Sequence, residues 1–195
     1  MKNIIPAVIL LFACTSTNAQ LRLNSNFGIK AGVQAAKLGQ PSTNWDSKYK
    51  WHAGLLAHIH ISDHFAVQPE LIYSAQGAEH ITPTTETQIE LNYVNLPIVL
   101  QYMTSFGLRI QAGPQIGVLM KAKGSINGAE SDIKDFIKST DFGVLGGLSY
   151  LTKLGLGFDA RYVYGLTDIA KNGNGAGSDI NNLVIQLGAF YQFKR

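Results

Sequence analysis

The stretch from Asp141 to Thr167, DFGVLGGLSYLTKLGLGFDARYVYGLT, divides into two alternating runs about a tight turn near Thr152 and Lys153. On the second run Leu156, Phe158, Ala160, Tyr162 and Tyr164 share one face, and Gly157, Asp159, Arg161, Val163 and Gly165 share the other. Period-2 alternation with one apolar face and one small or charged face predicts β-strands. Each run is expected to extend over about eleven residues, longer than the roughly five or six usual in a soluble sheet. A tilted strand crossing a bilayer needs about 9–11.

The same unit recurs along the chain. Strand one alternates through Phe27, Ile29, Ala31, Val33 and Ala35, and strand two through Trp51, Ala53, Leu55, Ala57, Ile59 and Ile61. Strand three follows the short turn Ser62-Asp63-His64 with Phe65, Val67, Pro69, Leu71, Tyr73 and Ala75 on its apolar face. Strand four carries Val94, Leu96, Ile98, Leu100 and Tyr102, and strand five, after the turn Thr104–Gly107, carries Leu108, Ile110, Ala112, Pro114, Ile116 and Val118. The two runs described first are strands six and seven, and Leu183 to Phe193 is strand eight. Pro69, Pro97 and Pro114 each remove a ladder hydrogen bond, so a bulge or local distortion is expected at each.

Between these strands lie four long polar stretches: Lys37–Lys50, Gly77–Glu90, Met120–Thr140 and Asp168–Asn182. All four are expected to be loops, with room for a helical turn or two in Asp132–Lys138. Long and short connections alternate, and an up-and-down barrel sends alternate connections to opposite rims. Long loops at one rim and tight turns at the other are the habit of transmembrane barrels. The predicted fold is therefore all-β, a closed eight-stranded antiparallel up-and-down transmembrane β-barrel. Aromatic residues near strand ends, among them Trp51, Phe65, Tyr102, Tyr150 and Tyr191, suit the two bilayer interfaces.

Composition narrows this further. The chain has 195 residues, is 46% apolar and carries a net charge of +3 without a cluster of basic residues, which argues against nucleic acid as a partner. No apolar run reaches the roughly 18 residues of a transmembrane helix, which leaves a strand-built membrane protein open. At the N-terminus, Lys2, the apolar run Ile4–Ala13 and the small-residue site Thr17-Asn18-Ala19 predict a signal peptide at residues 1–19, cleaved after Ala19. The barrel domain is then 20–195. Leu11-Phe12-Ala13-Cys14 offers a rival lipoprotein box, though Phe12 is bulky for it. Cleavage after Ala19 removes the single cysteine and with it any disulfide.

The segments FGIKAGVQAAKL, FAVQPELIYSAQGA, LNYVNLPIVLQY, IQAGPQIGVLMKAK, DFGVLGGLSY, GLGFDARYVYGLTDI and LGAFYQFKR together span the mature chain. In them the sequence resembles the PorT-like "porin family" of eight-stranded outer-membrane β-barrel proteins, common in Bacteroidota. The resemblance implies a barrel in a bacterial outer membrane and allows a link to secretion or gliding machinery. These motifs are structural, so they speak to fold and compartment more than to activity.

With the apolar faces toward lipid, Glu70, Arg109, Asp159 and Arg161 project into the barrel. An eight-stranded barrel has an interior just wide enough for side chains to fill it. These four are expected to form a salt-bridge and hydrogen-bond network with Gln68, Gln111, Gln115 and Gln186, because unpaired charge there is costly. A paired-carboxylate active site is the sharper alternative, but substrates could hardly enter. His52, His58, His60 and His64 cluster on strand two and its turn. His58 and His60 could share a metal with Glu70 or His64 as third ligand, although polar filler is the simpler reading. Gly113–Gly117 and Gly143–Gly147 lack the strand-turn-helix context of a phosphate loop.

The sequence thus predicts a non-enzymatic membrane protein with no cofactor or metal. Its expected partners are outer-membrane lipid and an extracellular or cell-envelope protein met through the long loops. Two rivals remain open at this stage. A soluble, lipocalin-like barrel would turn the apolar faces inward around a small ligand, and an outer-membrane lipid-modifying enzyme would need a catalytic site supplied by a loop.

Overall fold

Strict alternation over long runs forces each strand to bury one set of side chains and expose the other, and the computed structural model shows which set goes where. It describes residues 25–38, 46–47, 49–81, 86–126, 129–134, 138–167 and 182–193. The expected signal peptide, its cleavage site, Cys14 and most of the fourth long stretch lie outside these residues. The strands are β1 (Ser25–Leu38), β2 (Asp46–Ser47), β3 (Tyr49–His60), β4 (Phe65–Ile81), β5 (Glu86–Met103), β6 (Leu108–Ile126), β7 (Ala129–Asp132), β8 (Thr140–Leu151), β9 (Leu156–Gly165) and β10 (Asn182–Gln192).

Eight of them close a barrel. The order β4-β3-β1-β10-β9-β8-β6-β5 is completed by pairing between β4 and β5, and every pair is antiparallel. Closure leaves no sheet edge within the wall, as lipid requires. The apolar faces point outward: Ile29, Val33, Leu55, Leu71, Ile98, Leu100, Ile110, Leu148, Ile185 and Leu187 are all exposed. Lys30, Gln34, His52, Gln68, Glu70, Gln101, Arg109, Gln111, Asp159 and Arg161 are all buried inside. A soluble barrel with an apolar interior is thereby excluded, because transferring the outer faces to water and the charges to an apolar cavity would reverse both preferences.

The short-turn rim is built by a repeated device. In Thr104–Gly107 the threonine hydroxyl donates to the Leu108 carbonyl at 2.8 Å, and in Thr152–Gly155 the Thr152 hydroxyl donates to the Leu156 carbonyl at 2.7 Å. Each turn ends on a glycine at positive φ, 99° at Gly107 and 88° at Gly155, where a side chain would be strained. At the prolines the ladder lapses without changing register: β3–β4 pairing stops between Leu56↔Glu70 and Ile59↔Val67, and β5–β6 pairing between Pro97↔Gln115 and Leu100↔Ala112. The register shift falls instead between Asn92 and Tyr93, opposite Lys121 and Leu119.

Three of the polar stretches are not simple loops. Gly77–Glu90 continues the β4–β5 hairpin, paired from Gly77↔Glu90 up to Ile81↔Glu86. In Met120–Thr140, β6 runs on to Ile126 and β7 folds back along it, from Ile126↔Ala129 to Lys123↔Asp132. Of the helical turn expected in Asp132–Lys138, Asp132 belongs to β7, Lys134 lies in a 3₁₀ turn, and residues 135–137 lie outside the description. In the first stretch β1 reaches Leu38, and Asp46 and Ser47 pair with Glu79 and Ala78. These extensions escape a hydropathy reading because beyond the bilayer no lipid enforces an apolar outer face, while at their base Leu91, Tyr93, Leu119 and Ala122 bury a small apolar cluster against Ile89 and Ile133. On this side of the molecule the wall therefore stands well above the lipid-facing belt.

Candidate functional site

The lumen is occupied by side chains, and its middle is charged. Arg161 on β9 reaches across to Glu70 on β4, with Nη1 donating to Oε2 and Nη2 to Oε1, both at 2.6 Å. This bidentate fork is the strongest geometry a guanidinium and a carboxylate can adopt. Arg161 Nη2 also donates to Gln111 at 3.1 Å, and Gln68 donates to Glu70 Oε1 at 2.7 Å. Arg161 Nε lies 3.0 Å from Asp159 Oδ2, close enough for charge attraction but not aligned as a hydrogen bond.

Lys30 on β1 completes the centre. Its ammonium hydrogen-bonds Asp159 Oδ2 and stands 4.0 Å from Glu70 Oε2. Sequence reasoning left Lys30 out of the group, although its position between Gly28 and Gly32 on the inner face of β1 was the signal that could have found it. Arg109 is buried with the others but stands apart from both carboxylates. Its Nη1 donates to Gln101 Oε1 at 3.3 Å and lies 3.5 Å from His58 Nδ1. Gln101 donates in turn to Gln111 at 3.3 Å, so Arg109 reaches Arg161 through two amides, and it reaches Glu70 through His58 and Gln68.

Above this layer Gln186 donates to Gln34 at 2.9 Å, and Gln34 donates to the Ser74 hydroxyl at 2.7 Å. Gln186 thus belongs to a separate polar layer, and Gln115, half-buried, has no side-chain partner among the described residues. Ala36, Val99, Leu145, Val163 and Val184 pack as an apolar cluster within the same wall. The histidines do not converge on a metal position. His58 and His60 meet edge to face with ring centroids 4.6 Å apart, His58 Nδ1 faces Gln68 at 3.2 Å, and His64 stacks on Tyr102. Among the described residues no group of three His, Cys, Asp or Glu side chains is placed to hold a metal ion.

A closed antiparallel barrel with an apolar exterior, aromatic residues at its rims and a paired-charge interior is a membrane-spanning protein. Residues 18–171 match the family described as outer membrane protein beta-barrel domain, and the chain belongs to it. The protein is accordingly an outer-membrane β-barrel of a bacterial envelope. No curated protein matches the chain. Among solved structures it is similar to Neisserial surface protein A (NspA), at 16% identity over 86% of this chain and 97% of NspA, with a TM-score of 0.56. It is also similar to Ail, the attachment invasion locus protein of Yersinia pestis, at 15% identity over 88% of this chain and all 100% of Ail, with a TM-score of 0.54. Ail has also been solved in complex with the heparin analogue sucrose octasulfate. At such identities the likeness is one of fold.

Proposed function

We propose that this barrel works from its outer rim: the lumen passes no solutes, and the raised β4–β5 and β6–β7 hairpins make contact with an extracellular or cell-envelope protein. The observation that carries this reading is the uneven wall. From Val94 to Glu86, β5 climbs eight residues past the apolar belt, roughly 20 Å for a strand tilted by about 40°. The raised part carries polar and charged groups suited to water, among them exposed Lys121, Glu130 and Asp132, with Lys123 paired to Glu130 and Lys50 to Glu90 at 2.6 Å.

The lumen supports the same division of labour. Its two buried carboxylates are both engaged by cations, which suits a structural filling better than acid–base chemistry. On this reading the chain is exported with its signal removed after Ala19. The PorT-like resemblance keeps secretion or gliding machinery among the candidate partners. A photo-crosslinking residue placed at Gln88 or Lys121 should capture protein in living cells, whereas one at Leu187 should capture lipid alone. In vesicles the protein should add no dye efflux to that of bare lipid. Crosslinks to protein from Leu187 only, or steady efflux, would refute the proposal.

A further inference from the structure

The charge balance of the lumen points to a site that the proposed function does not use. Three cations, Lys30, Arg109 and Arg161, are buried with two carboxylates, Glu70 and Asp159. Lys30 and Arg161 engage both carboxylates, with Asp159 held through Oδ2 while its Oδ1 has no hydrogen-bond partner among the described residues. Arg109, only 5% exposed, is left with two neutral contacts, to Gln101 and His58, and both fall on Nη1. Its Nη2 and Nε have no protein acceptor among the described residues. A buried guanidinium without a counter-charge is expensive, and the planar fork it leaves open is the shape that receives an oxyanion.

A second group points the same way. Ser149 on β8 is the cross-strand neighbour of Arg109, it is 4% exposed, and its hydroxyl has no hydrogen-bond partner. Paired residues on one face of a sheet hold their Cβ atoms about 5 Å apart, so Ser149 stands beside the base of the Arg109 side chain, whose head reaches toward Gln101 and His58. On the other side Ser149 is paired with Asp159, whose charge Lys30 and Arg161 already offset. Among the described residues the groups that Arg109 contacts, His58 and Gln101, and Gln111 bonded to Gln101, are none of them acidic. Arg109 is the second residue of β6, directly after the turn Thr104–Gly107, so this corner lies at the short-turn mouth of the barrel.

We infer that Arg109 and Ser149 form an anion site in the short-turn mouth that takes one small oxyanion, a carboxylate or a phosphate. The guanidinium supplies charge and two donors, and the serine hydroxyl supplies a third. The short turns of outer-membrane barrels face the periplasm, so the anion would be either a free ion of that compartment or the terminal carboxylate of a peptide.

The test is thermal unfolding of the detergent-folded full chain in phosphate or acetate, against a bulky sulfonate at matched ionic strength. The unaltered protein should gain several degrees from either oxyanion, and Arg109→Gln should gain nothing. In the sulfonate Arg109→Gln should melt at or above the unaltered protein, since it removes an uncompensated charge. Ser149→Ala should still respond, with half-saturation about tenfold higher for the loss of one hydrogen bond to a charged group. The guanidinium nitrogen resonances of Arg109 should shift with the same titration, which gives a reading in the unaltered chain should Arg109→Gln not refold. A short peptide with a free C-terminus, compared with its amide, separates the two sources. Response to the free acid alone identifies a peptide terminus, and response to inorganic phosphate with neither peptide identifies a free ion. A protein whose melting point and Arg109 resonances ignore both oxyanions, or an Arg109→Gln variant that responds as fully as the unaltered chain, would overturn the assignment.

Discussion

Arg161 is the residue on which the interior turns. Glu70→Gln would leave it without its fork partner in a place that water does not freely reach, and should cost about 3–5 kcal/mol in urea unfolding from lipid vesicles. A double-mutant cycle on Glu70 and Arg161 should return a coupling of about 1–3 kcal/mol. The corresponding cycle on Asp159 and Arg109 should be additive to within about 0.5 kcal/mol, because on either route at least two neutral side chains separate Arg109 from the ion pairs. Glycines divide just as clearly. At Gly157 an added methyl would stand 2.2 Å from the tip of the buried Phe190 ring, so Gly157→Ala should cost about 1–3 kcal/mol. At Gly146 nothing lies within 4 Å of the same position, and Gly146→Ala should change stability by less than about 0.5 kcal/mol.

At the scale of the strand, side-chain parity was legible in the sequence because lipid on one side and a crowded lumen on the other leave a residue only two environments. Along β10, Ile185, Leu187 and Ala189 all face outward, and Val184, Gln186 and Phe190 are all buried. What escaped the reading were segments such as Gly77–Glu90, where no bilayer enforces the alternation, and the identity of the partners within the lumen. Glu70 and Arg161 could be placed inside from parity alone, but which cation met which carboxylate depended on barrel tilt and register, which local pattern does not contain. Depth is also a property of the strand. Leu187, paired with Val33 and Ala160 in the middle of β10, should tolerate arginine badly, at a cost of about 2–4 kcal/mol. Leu156 opens β9 beside the short-turn rim, where an arginine can reach the interface, and Leu156→Arg should cost no more than about 1 kcal/mol. Folding yields of the two variants into vesicles decide the ranking.

For the molecule as a whole, closure is the property that ties wall and interior together. The folded chain should migrate faster than the boiled chain on a detergent gel, and only when detergent or lipid was present during folding. A chain that reached the fast form in plain buffer would contradict the outward apolar faces. The interior pairs also carry information about time. Lys30 meets Asp159 across 129 residues of chain, and Arg161 meets Glu70 across 91. Neither contact can exist in a single hairpin, and the Lys30–Asp159 pair needs β1 and β10 to have found each other. Until that seam zips, every charge in the future lumen remains hydrated, and the last event of assembly is also the one that expels this water and neutralises the charge. Weakening the ion pairs should therefore hasten unfolding while leaving the early steps of insertion almost untouched. The salt bridges act as a latch set at the end of folding, and the chain enters the membrane without them.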